Sequence, residues 1–170
     1  LQLLGRDLED ASEFLEAALD EAKPHKQVLG LLARVRLMQG NFKDAARLFE
    51  LGREKLGIGK SWLPGADGWM KGLAAAYVKL GETDKLRGIL ETVAQFEGDN
   101  LSVRKKLAQM ALDRGDQEAA KKWAQEGLFI NVMDAEVHQI LLGVYDAAGD
   151  DKNAAREKRI IGEIEALENQ

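Results

Sequence analysis

The chain has 170 residues, of which 45% are hydrophobic, which is enough for a substantial core and excludes a disordered or fibrous protein. Its net charge of −5 argues against a general nucleic-acid binder, because such proteins need a dense basic face. The absence of cysteine excludes disulfides, thiolate metal sites and cysteine nucleophiles. No apolar run approaches the roughly 18 residues that span a bilayer, so we expect no membrane insertion. The first residue is Leu1 and no targeting signal follows, so we expect a fragment or processed form of a longer protein.

Helix pairs in a 34-residue repeat are the predicted elements, because Gly81, Gly115 and Gly149 lie 34 residues apart after similar apolar phrases. Each glycine is predicted to end the first helix of a pair in a left-handed conformation. Gly40 takes the same place in the first full unit, and the residue after each of the four glycines suits the start of the next helix: Asn41, Glu82, Asp116 and Asp150. The prediction is one domain, 1–170, with a half-unit 1–25 and units 26–59, 67–100, 101–134 and 135–170.

The half-unit 1–25 is predicted to hold a single helix over residues 8–22. Subtracting one period from Gly40 places Ala11, Leu15 and Ala18 at the positions that later second helices use for packing. Pro24 follows shortly after them. This helix is therefore interpreted as the second helix of a hairpin whose first helix is mostly missing.

An insertion near residues 57–66 separates the first two units, because Gly40 and Gly81 are 41 residues apart, seven more than the period. Glu54 to Ser61 reads E-x-x-x-x-G-K-S, close to a phosphate-binding loop, but a helix rather than a strand is predicted before it, so we interpret the match as accidental. Trp62 and Trp69 lie close to this glycine-rich stretch in the sequence. Either they contact a ligand or, as we favour, they pack the irregular junction between units.

An apolar stripe is predicted on the first helix of every unit. Position 7 of the repeat is leucine in all four units: Leu32, Leu73, Leu107 and Leu141. The last helix, from about Asp151, carries a narrower apolar stripe among charges: Ile160, Ile161, Ile164 and Leu167. It is interpreted either as the polar cap of a solenoid or as an ordinary amphipathic helix.

These phrases resemble the tetratricopeptide repeat (TPR), over nearly the whole chain and for about four and a half repeats. Besides the leucines and glycines, Tyr77 and Tyr145 match the family's tyrosine at position 11, and Phe42 matches its aromatic at position 17. Proline at position 32 is absent from all four units. The resemblance implies an all-α fold, an α-α superhelix that forms a right-handed solenoid of antiparallel helix pairs. It also implies a concave groove, lined by first helices, that holds a peptide or partner helix.

The family's groove positions place cations in the middle of the expected groove, although the chain is acidic. The peptide-groove candidates are Arg34, Met38, Lys71, Lys79, Lys105, Gln109 and Gln139. A cationic concavity would attract an acidic peptide or a terminal carboxylate, whereas the alternative is that these are solubilising charges on exposed helices. No chaperone-type carboxylate clamp is expected, because position 9 holds no asparagine.

No catalytic set, metal site or cofactor site is expected. His25 and His138 are the only histidines and lie in different units, so His138 is interpreted as a partly buried packing residue. The favoured function is a non-catalytic protein–protein interaction scaffold that binds a peptide or partner subunit, possibly acidic, in its groove. The alternative is an accessory TPR segment of a larger enzyme, a hydrolase or transferase with its active site elsewhere. A third hypothesis is a homo-oligomer formed through the end helices.

Overall fold

The structure, a computed structural model, describes residues 2–60 and 65–169, with side chains from Asp7 onwards. Within those ranges the chain is built from α-helices joined by short connections, as predicted. The helices are α1 (Gln2–Ala17), α2 (Lys26–Met38), α3 (Phe42–Leu56), α4 (Ala66–Leu80), α5 (Thr83–Phe96), α6 (Leu101–Asp113), α7 (Gln117–Ile130), α8 (Ala135–Ala148) and α9 (Asp151–Glu168). No helix in the described ranges is long and apolar enough to cross a membrane.

The chain forms two compact units, which we call unit 1 (Leu1–Phe96) and unit 2 (Glu97–Gln170). In unit 1, helices α1 to α5 each pack against the next, and α2 also contacts α4. In unit 2, helices α6 to α9 pack in the same way, and α6 also contacts α8. In each unit, then, consecutive helices pair and neighbouring first helices touch. That 1–170 is one domain stays a prediction.

The repeat glycines end the first helices in the left-handed conformation, which confirms that prediction. Their φ angles are +77° at Gly40, +69° at Gly81, +76° at Gly115 and +68° at Gly149. The side chains of three of the four following residues accept a backbone N–H of the next helix, as the capping prediction required: Asn41, Asp116 and Asp150. No such bond to Glu82 is found in the described residues.

The first helix differs from its predicted bounds, because α1 covers Gln2–Ala17 rather than residues 8–22. The helix ends early where the side chain of Asp20 competes for the backbone. Its Oδ1 atom accepts the N–H of Ala22 at 2.9 Å and that of Lys23 at 3.3 Å. This local turn satisfies donors that a continuing helix would have used, so residues 19–23 leave the helix.

The predicted apolar stripes form the core of both units. The leucines at position 7 are between 0 and 2% exposed, as expected for a packed stripe: Leu32, Leu73, Leu107 and Leu141. On α9, Ile164 is buried but Leu167 is exposed. The apolar stripe on α9 is therefore buried only over part of its length.

The insertion begins with packed residues. Helix α3 ends at Leu56, so a helix precedes Lys60, as expected for an accidental match to the phosphate-binding motif. Ile58 is only 2% exposed, and a Cβ at Gly59 would lie 2.4 Å from Cε of Met70. The first residues of the insertion therefore pack against α4. Ser61 and Trp62 lie outside the described residues.

Candidate functional site

Trp69 of α4 holds the helices of unit 1 together. A Cβ at Gly30 of α2 would lie 2.8 Å from the indole ring, and one at Gly52 of α3 would lie 2.0 Å from it. The ring fits between α2 and α3 only because both positions are glycine. Its Nε1 donates to the carbonyl of Phe49 at 2.8 Å, and the two aromatic rings meet edge-to-face with centroids 5.4 Å apart. The packing role predicted for Trp69 is confirmed.

A cleft of about 470 Å³ opens beside this tryptophan, and we call it the unit 1 cleft. It is lined by Lys26, Gln27, Gly30, Leu31, Arg34, Gly65 and Trp69. Arg34 extends across it towards α4, where a Cβ at Gly68 would lie 3.0 Å from Nη2. Leu31 is half exposed at its edge. The cleft therefore combines an apolar floor with two cationic side chains.

The groove candidates of unit 1 are exposed on α2 and α4. Met38 on α2 is 64% exposed, and the apolar side chain of Val78 on α4 is 58% exposed. Arg34 and Lys79 make no ion pair or hydrogen bond with any described residue. Lys71 reaches only Asp67, one helical turn away on its own helix, at 3.8 Å. These cations are therefore available to an external partner.

Two of the three groove candidates of unit 2 already bond to carboxylates of the same unit. Nζ of Lys105 lies 2.6 Å from Glu136 and 3.2 Å from Asp134. Hydrogen bonding to Glu136 is the main cause that raises the pKa of the Lys105 ammonium. Gln109 donates to Asp113 at 2.6 Å, and Gln139 is exposed on α8. The seven candidates thus divide between two units with different electrostatics.

His138 and Glu157 form a buried polar pair in unit 2. Both residues are 2% exposed, and Nδ1 of His138 lies 2.6 Å from Oε2 of Glu157. Nε2 of His138 donates to the carbonyl of Val132 at 2.9 Å, because a carbonyl oxygen can only accept. The contact between Nδ1 and Oε2 therefore joins α8 to α9 inside unit 2. The structural role predicted for His138 is confirmed, although the residue is buried rather than partly buried. Its bond to Val132 ties the loop before α8 to the core.

A family model described as tetratricopeptide repeat matches residues 3–56. Among solved structures, a MamA structure designated AMB-1 superposes with a TM-score of 0.73 at 20% identity, covering 96% of this chain and 85% of that one. A MamA structure designated MSR-1 gives 0.68 at 19% identity, covering 97% and 90%. Residues 3–56 therefore match the tetratricopeptide-repeat family, and the chain shares the fold of these structures.

The TPR resemblance seen in the sequence is therefore confirmed, and so is the fold class of an all-α superhelix. A further crystal structure of MamA superposes with a TM-score of 0.69 at 15% identity and covers 99% of this chain and 94% of that one. At such identities the likeness shows the fold alone. No curated protein matches this chain in sequence.

An exposed apolar group at the end of α7 was missed by the sequence reasoning. We call Phe129, Val132 and Met133 the unit 2 patch; they are 91%, 63% and 46% exposed. The signal was present, because five of the six residues 128–133, at the end of α7 and in the connection to α8, are apolar. Repeat positions alone did not single them out, since the family's groove lies on the first helices and this stretch does not.

Proposed function

We propose that this chain is a non-catalytic interaction module whose unit 1 binds an acidic protein segment. The binding surface, which we call the unit 1 face, is the exposed side of α2 and α4 around the unit 1 cleft. Its members are Leu31, Arg34, Met38, Lys71, Val78 and Lys79. The observation that carries the proposal is that Arg34 and Lys79, which pair with no described carboxylate, lie on the same two helices as exposed apolar side chains.

The spacing of the unit 1 face suits an extended or helical segment with carboxylates at intervals. On α2, Leu31, Arg34 and Met38 are three and four residues apart, so they share one side of the helix. On α4, Lys71 and Lys79 are eight residues apart, which is about 12 Å along the axis. An extended partner spans that length with about four residues. Carboxylates about four residues apart would therefore meet both lysines.

The apolar and the charged side chains of the unit 1 face contribute to binding in different ways. Leu31, Met38 and Val78 supply apolar area that a partner would remove from water. Arg34 and Lys79 pair with no described residue, so a partner's carboxylates displace no existing ion pair. Exposed charge pairs of this kind raise the association rate and weaken with added salt. Binding should therefore become weaker as ionic strength rises, without being abolished.

The test uses two synthetic peptides of about 14 residues that differ only in charge, one of leucine and glutamate and one of leucine and lysine. We expect the glutamate peptide to bind the wild-type protein at the unit 1 face. In the double variant Arg34→Glu, Lys79→Glu its affinity should fall at least about tenfold, because two attractive contacts become repulsive. Isothermal calorimetry at two salt concentrations measures this directly.

The matched control is Lys43→Glu, Lys106→Glu, which changes the net charge equally at two exposed lysines outside the unit 1 face. If the control loses as much affinity as Arg34→Glu, Lys79→Glu, binding reports net charge and the proposal is wrong. Undiminished affinity in the Arg34→Glu, Lys79→Glu variant would also reject it.

A further inference from the structure

The unit 2 patch concentrates exposed apolar area at one point of unit 2. Phe129 stands on the last turn of α7 and is 91% exposed, while Val132 and Met133 lie in the connection to α8. Single exposed apolar residues are ordinary, but a contiguous group marks an interaction surface. Aromatic residues in particular dominate the energetics of interfaces.

The connection that carries the patch is held firmly by its polar groups. His138 donates to the carbonyl of Val132 at 2.9 Å from within the core, where Glu157 holds the imidazole. The side chain of Asn131 accepts the N–H of Met133 at 3.0 Å, and that of Asp134 caps α8 through Val137 at 3.0 Å. The polar groups of this loop therefore bond inwards while its apolar side chains face outwards. A surface ordered before binding loses little entropy when a partner arrives.

Phe129 lines two recesses in unit 2. One, of about 420 Å³, is lined by Gln125, Leu128, Phe129 and Val132. The other, of about 490 Å³, is lined by Gly98, Asp99, Arg104, Glu126, Phe129 and Ile130. A partner with two apolar side chains a turn apart could straddle the ring and fill both.

The accessible charge at the edge of the unit 2 patch is acidic and favours a basic partner. Asp99 is exposed beside the second recess, and Glu126 lies 3.6 Å from the guanidinium of Arg104. The side chain of Arg104 is only 8% exposed, so its charge lies below the surface and the accessible charge at this edge is acidic. A basic residue in the partner would therefore be favoured next to its apolar side chains.

The area of the patch selects a short partner over a second copy of the chain. Three exposed side chains provide on the order of a few hundred Å² of apolar surface. A stable association of two folded copies removes roughly 800 Å² from each. A short segment needs less area, because its two anchoring side chains can enter recesses rather than pack across a flat surface.

We propose that the unit 2 patch binds a short basic amphipathic segment of another protein. Two apolar side chains of that segment straddle Phe129 and enter the two recesses. A lysine or arginine of the segment pairs with Asp99 and Glu126. This site uses residues of unit 2 only and is independent of the acidic segment proposed for unit 1.

The test uses the leucine–lysine peptide of about 14 residues with the full chain. Phe129→Ser should weaken its binding at least about tenfold, as expected for a central aromatic contact. The matched control is Phe14→Ser on α1, where another exposed phenylalanine, at 73% exposure, lies in unit 1. That control should bind within about twofold of the wild type, and both variants should keep the wild-type melting temperature because neither ring is packed in the core.

Amide chemical shifts locate the bound peptide. We expect changes at residues 97–99 and 125–133, and Asp99→Lys should lower the preference for the lysine peptide over the glutamate peptide. Equal losses in Phe14→Ser and Phe129→Ser, or shifts spread evenly over the chain, would overturn the proposal. So would a concentration-dependent doubling of mass in light scattering that Phe129→Ser abolishes, because the patch would then be covered by a second copy.

Discussion

Lys71 in unit 1 and Lys105 in unit 2 occupy the same repeat position, yet only one of them is available for binding. Lys71 is exposed and has a single carboxylate at 3.8 Å. Lys105 is held between Asp134 and Glu136, at 3.2 and 2.6 Å. The difference comes from the start of α8, the first helix of the next repeat, which supplies both carboxylates in unit 2. Repeat position thus tells which side of a helix a residue occupies, and the neighbouring helix decides whether its charge is free.

The two units also differ in how their cores are locked. Unit 1 places the indole of Trp69 between two glycines, and unit 2 buries the hydrogen-bonded pair of His138 and Glu157. Each arrangement fixes the helices beside a proposed binding surface. Substitutions at Trp69 and at the His138–Glu157 pair should therefore change the free energy of unfolding in different ways.

The largest expected effect is in unit 1. Trp69→Ala should lower the free energy of unfolding by about 3–5 kcal/mol, because a buried aromatic ring and its hydrogen bond are lost. Gly52→Ala alone should also destabilise, since its Cβ would lie 2.0 Å from the ring. In the Trp69→Ala background the same substitution should be neutral or stabilise by up to about 1 kcal/mol, because alanine favours helix. Urea denaturation followed by circular dichroism measures this reversal. If Gly52→Ala destabilises equally in both backgrounds, Gly52 is not needed to make room for the ring of Trp69.

The second largest effect is expected at the buried pair of His138 and Glu157 in unit 2. Glu157→Ala should cost about 3 kcal/mol, because it leaves the imidazole of His138 buried without its partner. The double variant His138→Leu, Glu157→Leu should recover much of this loss, since apolar side chains replace both groups. Hydrogen exchange of the α8 and α9 amides resolves the effect from unit 1. If the double variant is no more stable than Glu157→Ala, the pairing is not the source of the loss.

The sequence predicted the helix pairs of both units because their signals are local. Gly40, Gly81, Gly115 and Gly149 each end a helix within a few residues of the pattern that predicts it. The buried pair of His138 and Glu157 is 19 residues apart and requires the rotation of α9 against α8, which periodicity does not supply. The pairing of Lys105 depends in the same way on the turn before α8. Tertiary packing therefore decided what the repeat phase left open.

A smaller effect separates the two lysines. Lys105→Ala should cost about 1 kcal/mol, because Asp134 and Glu136 lose their shared cation. Lys71→Ala should change stability by less than about 0.5 kcal/mol, as is usual for an exposed residue. Thermal denaturation of both variants checks the comparison. Equal losses would mean that position in the repeat, and not pairing, determines the contribution.

The smallest effect depends on pH. Hydrogen bonds from Asn153, through its side chain and its backbone N–H, lower the pKa of Asp150 below its usual range. A carboxyl whose folded pKa is lowered stabilises fully above its unfolded pKa of about 4 and loses that contribution as the pH falls further. Between pH 5 and pH 3 the melting temperature should therefore fall further in the wild type than in Asp150→Asn. Parallel curves would show that the cap does not depend on ionisation.

Amide chemical-shift mapping with the leucine–glutamate peptide tests the central claim, that the free cations of unit 1 form the acidic-segment site. The account predicts changes along α2 and α4, none along α6 and α8, and their loss in Arg34→Glu, Lys79→Glu but not in Lys43→Glu, Lys106→Glu. Changes concentrated on α6 and α8, or changes that persist unaltered when Arg34 and Lys79 are reversed in charge, would contradict it.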